Sequence, residues 1–230
     1  MMQYKLGNTI VLGLGGSVIF PNEIDEKLLR EWKTLIEKYA RTHKFIIVVG
    51  GGKLARKFQE VARSVRNITV AESDWLGIYA TRANAKLVQI IFGKLADPVI
   101  IDVPKKIKKL VAPVTVACGW EPGCSTDYIC MALAKQFNAK AVIMAGKPAF
   151  VYDKNPDQFI DAKPFQSMKW AEYWKLAPHK WEPGANMPID PIAAKFGKAH
   201  KITAIVVDGR NIGNVENLIN NEEFEGTIVE

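Results

Sequence analysis

Apolar residues along this chain fall into two kinds of pattern. Six runs are short, continuous and bounded by glycine, proline or polar residues: Thr9–Leu14, Phe45–Val49, Pro98–Ile101, Val114–Ala117, Ala141–Ala145 and Ile202–Val207. Runs this short, apolar throughout and rich in Val and Ile, predict strands buried on both faces. Between them the apolar spacing changes to three and four. Leu28, Leu29, Trp32, Leu35, Ile36 and Tyr39 form one helical stripe, and Leu54, Phe58, Val61, Ala62 and Val65 form another. Alternating strands and helices predict an α/β chain, a three-layer α/β/α sandwich with a mainly parallel central sheet. Internal repeats and low-complexity tracts are absent from the sequence. Lys163–Pro191, rich in proline and tryptophan, is the least regular stretch and reads as an insertion or a mobile flap.

The chemistry lies where strands give way to helices, since ligands collect at the carboxyl edge of such a sheet. Two glycine clusters fall there. Gly13, Gly15, Gly16 and Ser17 follow the first strand, and Gly50, Gly51 and Gly52 follow the second. Glycine lets backbone N–H groups converge on a phosphate, and a helix N-terminus behind the loop adds partial positive charge. Two such loops predict two phosphate groups held close together, as a transfer between phosphates requires. Neither loop is a dinucleotide fingerprint or a P-loop. Val18 replaces the third glycine of the former, and Ile47 and Leu54 replace the glycine and hydroxyl of the latter. Arg56, one turn into the helix after the triple glycine, is placed to fork onto a phosphate. A third segment, from Trp120 to Asp127, makes a turn at Pro122–Gly123, offers the hydroxyls of Ser125 and Thr126, and sets Asp127 at a helix start.

Composition narrows the class without choosing the ligand. The chain is 48% hydrophobic and 24% charged, which predicts a packed soluble globule of one large α/β domain. No apolar run reaches the roughly 18 residues that cross a bilayer. Residues 1–20 lack the basic cluster and cleavage pattern of a signal peptide. The net charge of +7 suits anionic partners, nucleotides and nucleic acid alike. The basic run Lys105, Lys106, Lys108 and Lys109 has no interleaved aromatics and reads as a solvated face. Cys118, Cys124 and Cys130 form no paired motif and are expected as reduced thiols in the cytoplasm. His43, His179 and His200 share no metal or triad spacing. No residue is assigned as a metal ligand.

The motif order GLGGSVI, VVGGGKLAR, DWLGIYATRANAKL, GWEPGCSTDY, VYDKNP and IDPIAAK, with the closing EGTIV strand, resembles the archaeal type of UMP kinase in the amino-acid kinase superfamily from end to end. The resemblance implies a carbamate kinase-like fold, with an acceptor lobe at residues 1–116 and a nucleotide lobe at 117–230. It implies phosphorylation of UMP to UDP by ATP in pyrimidine nucleotide biosynthesis, with Mg²⁺ arriving on the nucleotide. Gly15, Gly16 and Ser17 would hold the transferring phosphoryl group, and Gly52 and Arg56 would meet the phosphates. Gly51 and the loop Trp120, Glu121, Pro122, Gly123, Cys124, Ser125 and Thr126 would bind UMP. Asp74 would take the ribose, Asp127 would orient charged groups at the centre, and Gly146, Tyr152 and Asn155 would flank the ATP base and ribose. Members are commonly homohexamers.

Two departures stand out. Many superfamily members carry a lysine where this chain has Gly13, and the loop usually written N-x-D-G/Y-V-Y reads Lys147-Pro148-Ala149-Phe150-Val151-Tyr152 here. Lys147 is therefore the candidate catalytic cation, with Asp127 its catalytic partner. The same losses define the rival readings: a nucleotide sensor or oxyanion-storage protein with weak or no catalysis, or a kinase for another small phosphate, for which the changes at Trp120, Glu121 and Cys124 speak. A nucleic-acid binder has only the net charge behind it.

Overall fold

A computed structural model describes residues 2–176 and 188–230. The chain begins with β1 (Thr9–Leu14), α1 (Gly16–Ile19), α2 (Glu26–Tyr39), β2 (Lys44–Val49), α3 (Gly52–Val65) and α4 (Val70–Phe92). It continues with β3 (Val114–Ala117), α5 (Thr126–Gln136), β4 (Ala141–Gly146), β5 (Val151–Tyr152), β6 (Pro164–Phe165), β7 (Ser167–Met168) and α6 (Trp170–Leu176). It closes with α7 (Pro191–His200), β8 (Thr203–Asp208), α8 (Ile212–Ile219) and β9 (Thr227–Val229). The main sheet runs in the order β3-β2-β1-β4-β8-β9-β7, while β5 and β6 pair as a small antiparallel ribbon. The pairings of β1, β2, β3, β4 and β8 are parallel, and β9 lies antiparallel to β8.

Each central strand is apolar on both faces because helices cover both. Ile10, Leu12, Leu14, Phe45, Ile47 and Val49 pack under α2, α4 and α8 through Trp32, Ile36, Val88 and Leu218. Val11, Ile46, Val48, Val142 and Met144 face α5, α6 and α7 through Ile129, Leu133, Tyr173 and Ala193. The period-two alternation between two buried faces is what the continuous runs encode. Helix starts are set locally: Asp25 accepts from the Leu28 N–H, Thr69 and Glu72 form a capping box, and Asp190 caps α7 with Pro191 in its first turn.

Two expectations are corrected. Pro98–Ile101 is not a strand; only single bridges join Ala96 to Val114 and Ile101 to Ala117. Pro98 has no N–H to give a ladder, and Asp97 turns its carboxylate onto the Val99 N–H at 2.8 Å. The stripe on α3 does not pack on the sheet. Phe58, Val61 and Val65 are exposed, and of α3 only Gly52 and Ala55 are buried. Residues 105–109 form a solvated loop, as the sequence suggests. Part of the irregular stretch Lys163–Pro191, and His179 with it, lies outside the described residues; its described parts supply β6, β7 and α6. Among the described residues no helix is long and apolar enough to cross a membrane.

Candidate functional site

The connection from β1 leads toward β2 and β3, whereas β4 leads the other way toward β8. The crevice between the carboxyl ends of β1 and β4 is thus the switch point at which open α/β sheets bind ligands. A cavity of about 50 Å³ lies there, lined by Gly13, Leu14, Gly15, Thr126, Asp127, Met144, Gly146, Lys147 and Pro148 among others. It is the size of one or two waters or a phosphate oxygen cluster, not of a nucleoside.

The two glycine loops meet above it. A Cβ on Gly16 would overlap the Gly52 backbone, and one on Gly50 would overlap the Gly16 nitrogen. Gly52 has φ +62°, a left-handed conformation that side chains strain to adopt. Asn84, buried on α4, fixes the second loop by donating to the carbonyls of Gly50 at 2.9 Å and Gly51 at 3.3 Å. The Gly15 N–H is already engaged by the Ala145 carbonyl at 2.9 Å, so Gly15 shapes the loop by its backbone. α1 behind the first loop is a single turn of four residues, too short for a full helix dipole. Ser17 lies in that turn.

Asp127 opens α5 and borders the cavity. Its Oδ2 accepts the Asp190 N–H at 3.2 Å. Asp190 is itself buried: its Oδ1 accepts from Ile192 N–H at 2.7 Å and Ala193 N–H at 3.1 Å, and its Oδ2 accepts the Ser125 hydroxyl. Tyr173, fully buried, accepts the Ile189 N–H at 2.9 Å and so pins the chain just before Asp190. Burial and the neighbouring Asp190 charge push the Asp127 carboxyl up to about 7, and burial pushes that of Asp190 up as well. At neutral pH the Asp127 carboxyl is therefore protonated for part of the time. Sequence reading used IDPIAAK only as part of a resemblance; the signal for Asp190 was a helix cap followed by proline, which does not announce a partner 63 residues away.

The missing cation at Gly13 has a packing cause. A Cβ there would come within 3.0 Å of the Cys130 Sγ and 3.3 Å of the Met144 Sδ. Two sulfur side chains occupy the room that a longer residue needs. Lys147, exposed at the end of β4, borders the same cavity as Gly13 and Asp127.

On the acceptor side, α4 holds the loop from Gly119 to Gly123. Asp74 Oδ2 accepts the Gly123 N–H at 2.9 Å, and Thr81 Oγ1 accepts the Gly119 N–H at 2.8 Å. Gly123 has φ +85°, which the tight turn after Pro122 requires. Ser125 caps α5 through the Tyr128 N–H at 2.9 Å. Glu121 is exposed, and Cys124 is half-buried with its thiol pushed up by burial and by the carboxylates of Glu121 and Asp190. Trp120 opens the loop expected to bind the acceptor. Its indole is buried, reaches the Ile101 carbonyl at 3.4 Å and stacks edge-on with Tyr128, so only its backbone faces the loop. Arg56 is exposed on α3 with no hydrogen bond to the described residues. Tyr152 lies on the β5–β6 ribbon edge-on to Phe150, and Asn155 caps a turn through the Asp157 N–H at 3.0 Å. Neither borders the cavity.

Residues 8–208 match the amino acid kinase family. Over 231 aligned residues the chain is 33% identical to a uridylate kinase from Methanocaldococcus jannaschii, covering 96% of this chain and 99% of that one. A uridylate kinase from Methanococcoides burtonii is 32% identical, with 87% and 86% covered. The crystal structure of a uridylate kinase from Archaeoglobus fulgidus superposes with TM-score 0.81 at 30% identity, covering 96% and 99%. A UMP kinase from Bacillus anthracis, 18% identical, shares the fold at TM-score 0.78.

Proposed function

This chain belongs to the amino acid kinase family, and from that premise we propose that it transfers the γ-phosphoryl group of ATP to UMP, giving ADP and UDP in pyrimidine nucleotide synthesis. The observation that carries the reading is the first glycine loop, which packs against the second and borders one switch-point cavity together with Asp127 and Lys147. Full-length similarity to archaeal uridylate kinases supports the same substrate.

The step needs no covalent intermediate; it needs two mutually repelling phosphates brought into line and their charge offset. Gly16, Ser17 and Gly52 would cradle the donor phosphates with backbone N–H groups, and Arg56 swings free to fork onto a phosphate. Gly51 and the loop from Trp120 to Thr126 would enclose UMP, the latter reaching across from the nucleotide lobe to the acceptor lobe that ends at about residue 116. Gly146, Tyr152 and Asn155 would flank the ATP base and ribose. Phosphate charge would also be offset by Mg²⁺ carried in on the nucleotide. Among the described residues no cluster of three or more His, Cys, Asp or Glu side chains could hold a metal ion.

A coupled ADP-release assay with Mg-ATP and UMP, CMP, dUMP or AMP tests the function. UMP should turn over fastest. No ADP release with any monophosphate would end the kinase reading and leave a nucleotide-binding protein without turnover.

Asp74 is expected to serve the acceptor ribose by exchanging its Gly123 bond for hydroxyl donors. Asp74→Asn keeps one acceptor and replaces the other with a donor. The KM for UMP should rise about tenfold, roughly 1.4 kcal/mol, while the ATP constant holds. A change confined to ATP would reverse the assignment of the lobes.

The protein is also expected to self-associate in the cytoplasm as a hexamer of 25.6 kDa chains. Its three cysteines are free thiols, in keeping with that compartment. The outward stripe of α3 supports association: Phe58, Val61 and Val65 join Trp75 and Tyr79 of α4 in one exposed apolar groove. A patch of this kind marks an interaction surface. Val61→Asp should shift the mass measured by light scattering to a smaller species. An unchanged mass would place the contact elsewhere.

A further inference from the structure

Beside the cavity, at the carboxyl ends of β4 and β8, stands a row of three charged side chains. Gly146 of β4 is in register with Asp208 of β8, and the Gly209 N–H donates to the Gly146 carbonyl at 3.1 Å. Asp208 stands beside this contact, bonded to Arg210 and under the influence of the Lys147 charge. Its Oδ1 accepts the Arg210 backbone N–H at 2.9 Å and Nε at 2.8 Å, and its Oδ2 accepts Nη2 at 2.6 Å. Burial pushes the Asp208 carboxyl up, but the hydrogen bonds from Arg210 and the charges of Arg210 and Lys147 outweigh it and hold the group below its ordinary value. Asp208 therefore feels both cations, and Lys147 lines the same cavity as Asp127.

A nucleoside triphosphate docked at this edge brings several negative charges. Among the described residues that line the cavity, Lys147 is the single cation. Position 13 is glycine, crowded by Cys130 and Met144, and supplies no charge. The carboxyls of Asp127 and Asp208 add negative charge nearby. Arg210 is a further cation at this edge, held by the carboxylate that also feels the Lys147 charge.

The geometry points to Arg210 as a donor-phosphate ligand that rests on Asp208 in the free protein and exchanges that carboxylate for a phosphate of the bound nucleotide. This rests on the kinase reading above for the identity of the donor. The exchange is chemically even-handed, because the guanidinium fork fits carboxylate and phosphate oxygens alike. It is also cheap. The Arg210 side chain is 50% exposed, so the pair is screened by water and holds its partner weakly. Asp208 would keep the Arg210 backbone N–H and the Lys147 charge, and so would not be left unpaired.

Titration calorimetry with Mg-ATP and, separately, with adenosine tests the inference on the full chain. Adenosine carries the base and ribose without the phosphates. Arg210→Ala is expected to weaken ATP roughly tenfold, the size of a charge-assisted hydrogen bond, and to leave adenosine unchanged. Arg210→Lys should recover part of the loss. Asp208→Asn, which releases the guanidinium, should bind ATP at least as tightly as the native chain. Arg210→Ala with ATP affinity within about twofold of native would overturn the assignment. Equal losses for ATP and adenosine would overturn it too, since they would mark a change of pocket shape. A native chain that binds ATP but releases no ADP with any monophosphate would end the kinase reading and leave Arg210 as a phosphate ligand.

Discussion

Replacing Lys147 with alanine is expected to lower kcat by about 10²–10³, the cost of removing one transition-state charge contact, with the KM for UMP nearly unchanged. Lys147 borders the same cavity as Gly13, Gly15 and Asp127, so its ammonium reaches the region where a superfamily lysine would stand at position 13. The sulfur atoms of Cys130 and Met144 crowd position 13, so a side chain there needs them to shift. Lysine there would need both side chains to give way, so Gly13→Lys alone should destabilise the fold and restore nothing. Lys147→Arg should recover little, because a planar fork does not replace a compact point charge. Steady-state kinetics with both substrates varied separates the outcomes. Native turnover in Lys147→Ala would return this residue to the solvent.

Asp127→Asn is expected to cost activity and to gain stability, in opposite directions from one substitution. The carboxyl sits near 7 in the folded protein, raised by burial and by Asp190, against about 4 in the unfolded chain. Below about pH 4 both states are protonated and the group is neutral toward folding. Between about pH 4 and 7 the folded protein binds the extra proton, so the stability contribution of this site falls as pH rises and levels off above 7. Asparagine removes that penalty while its carbonyl still accepts the Asp190 N–H. The variant should therefore be more stable than the native chain by roughly 1–3 kcal/mol at pH 8, and the gap should close toward pH 4. Denaturant unfolding at several pH values reads it directly. A gap that does not vary with pH would mean that Asp127 carries no raised titration. Turnover should drop by about 10²-fold or more if the carboxylate orients the charged groups at the centre.

The central strands and the principal helices were legible in the sequence because each declares itself locally. Continuous Val and Ile runs at Thr9–Leu14 and Ala141–Ala145 leave no polar face, so both faces must be covered. The hydroxyl of Ser125 and the acid at Asp127 mark the start of α5. The glycine loops were legible for the same reason: a run of three glycines after a strand permits a backbone approach that other residues forbid. Their contact with each other, Gly16 against Gly50 and Gly52, was not, since two loops more than 30 residues apart can meet only if β1 and β2 lie side by side.

Only the tertiary structure decided which neighbour each surface meets. The α3 stripe has the spacing of a core-facing helix, but periodicity records that a face is apolar and not what covers it; here it turns outward. Trp120 sits in a loop that reads as ligand-binding, and burial of its large apolar ring drew the indole into the core instead. Asp127 looked like a lone helix-start acid until the fold brought Asp190 against it from α7, and it is that pairing, together with the loss of water around it, that sets its proton affinity. Such a value belongs to distances between segments far apart in the chain, and those distances exist only once the sheet has ordered them.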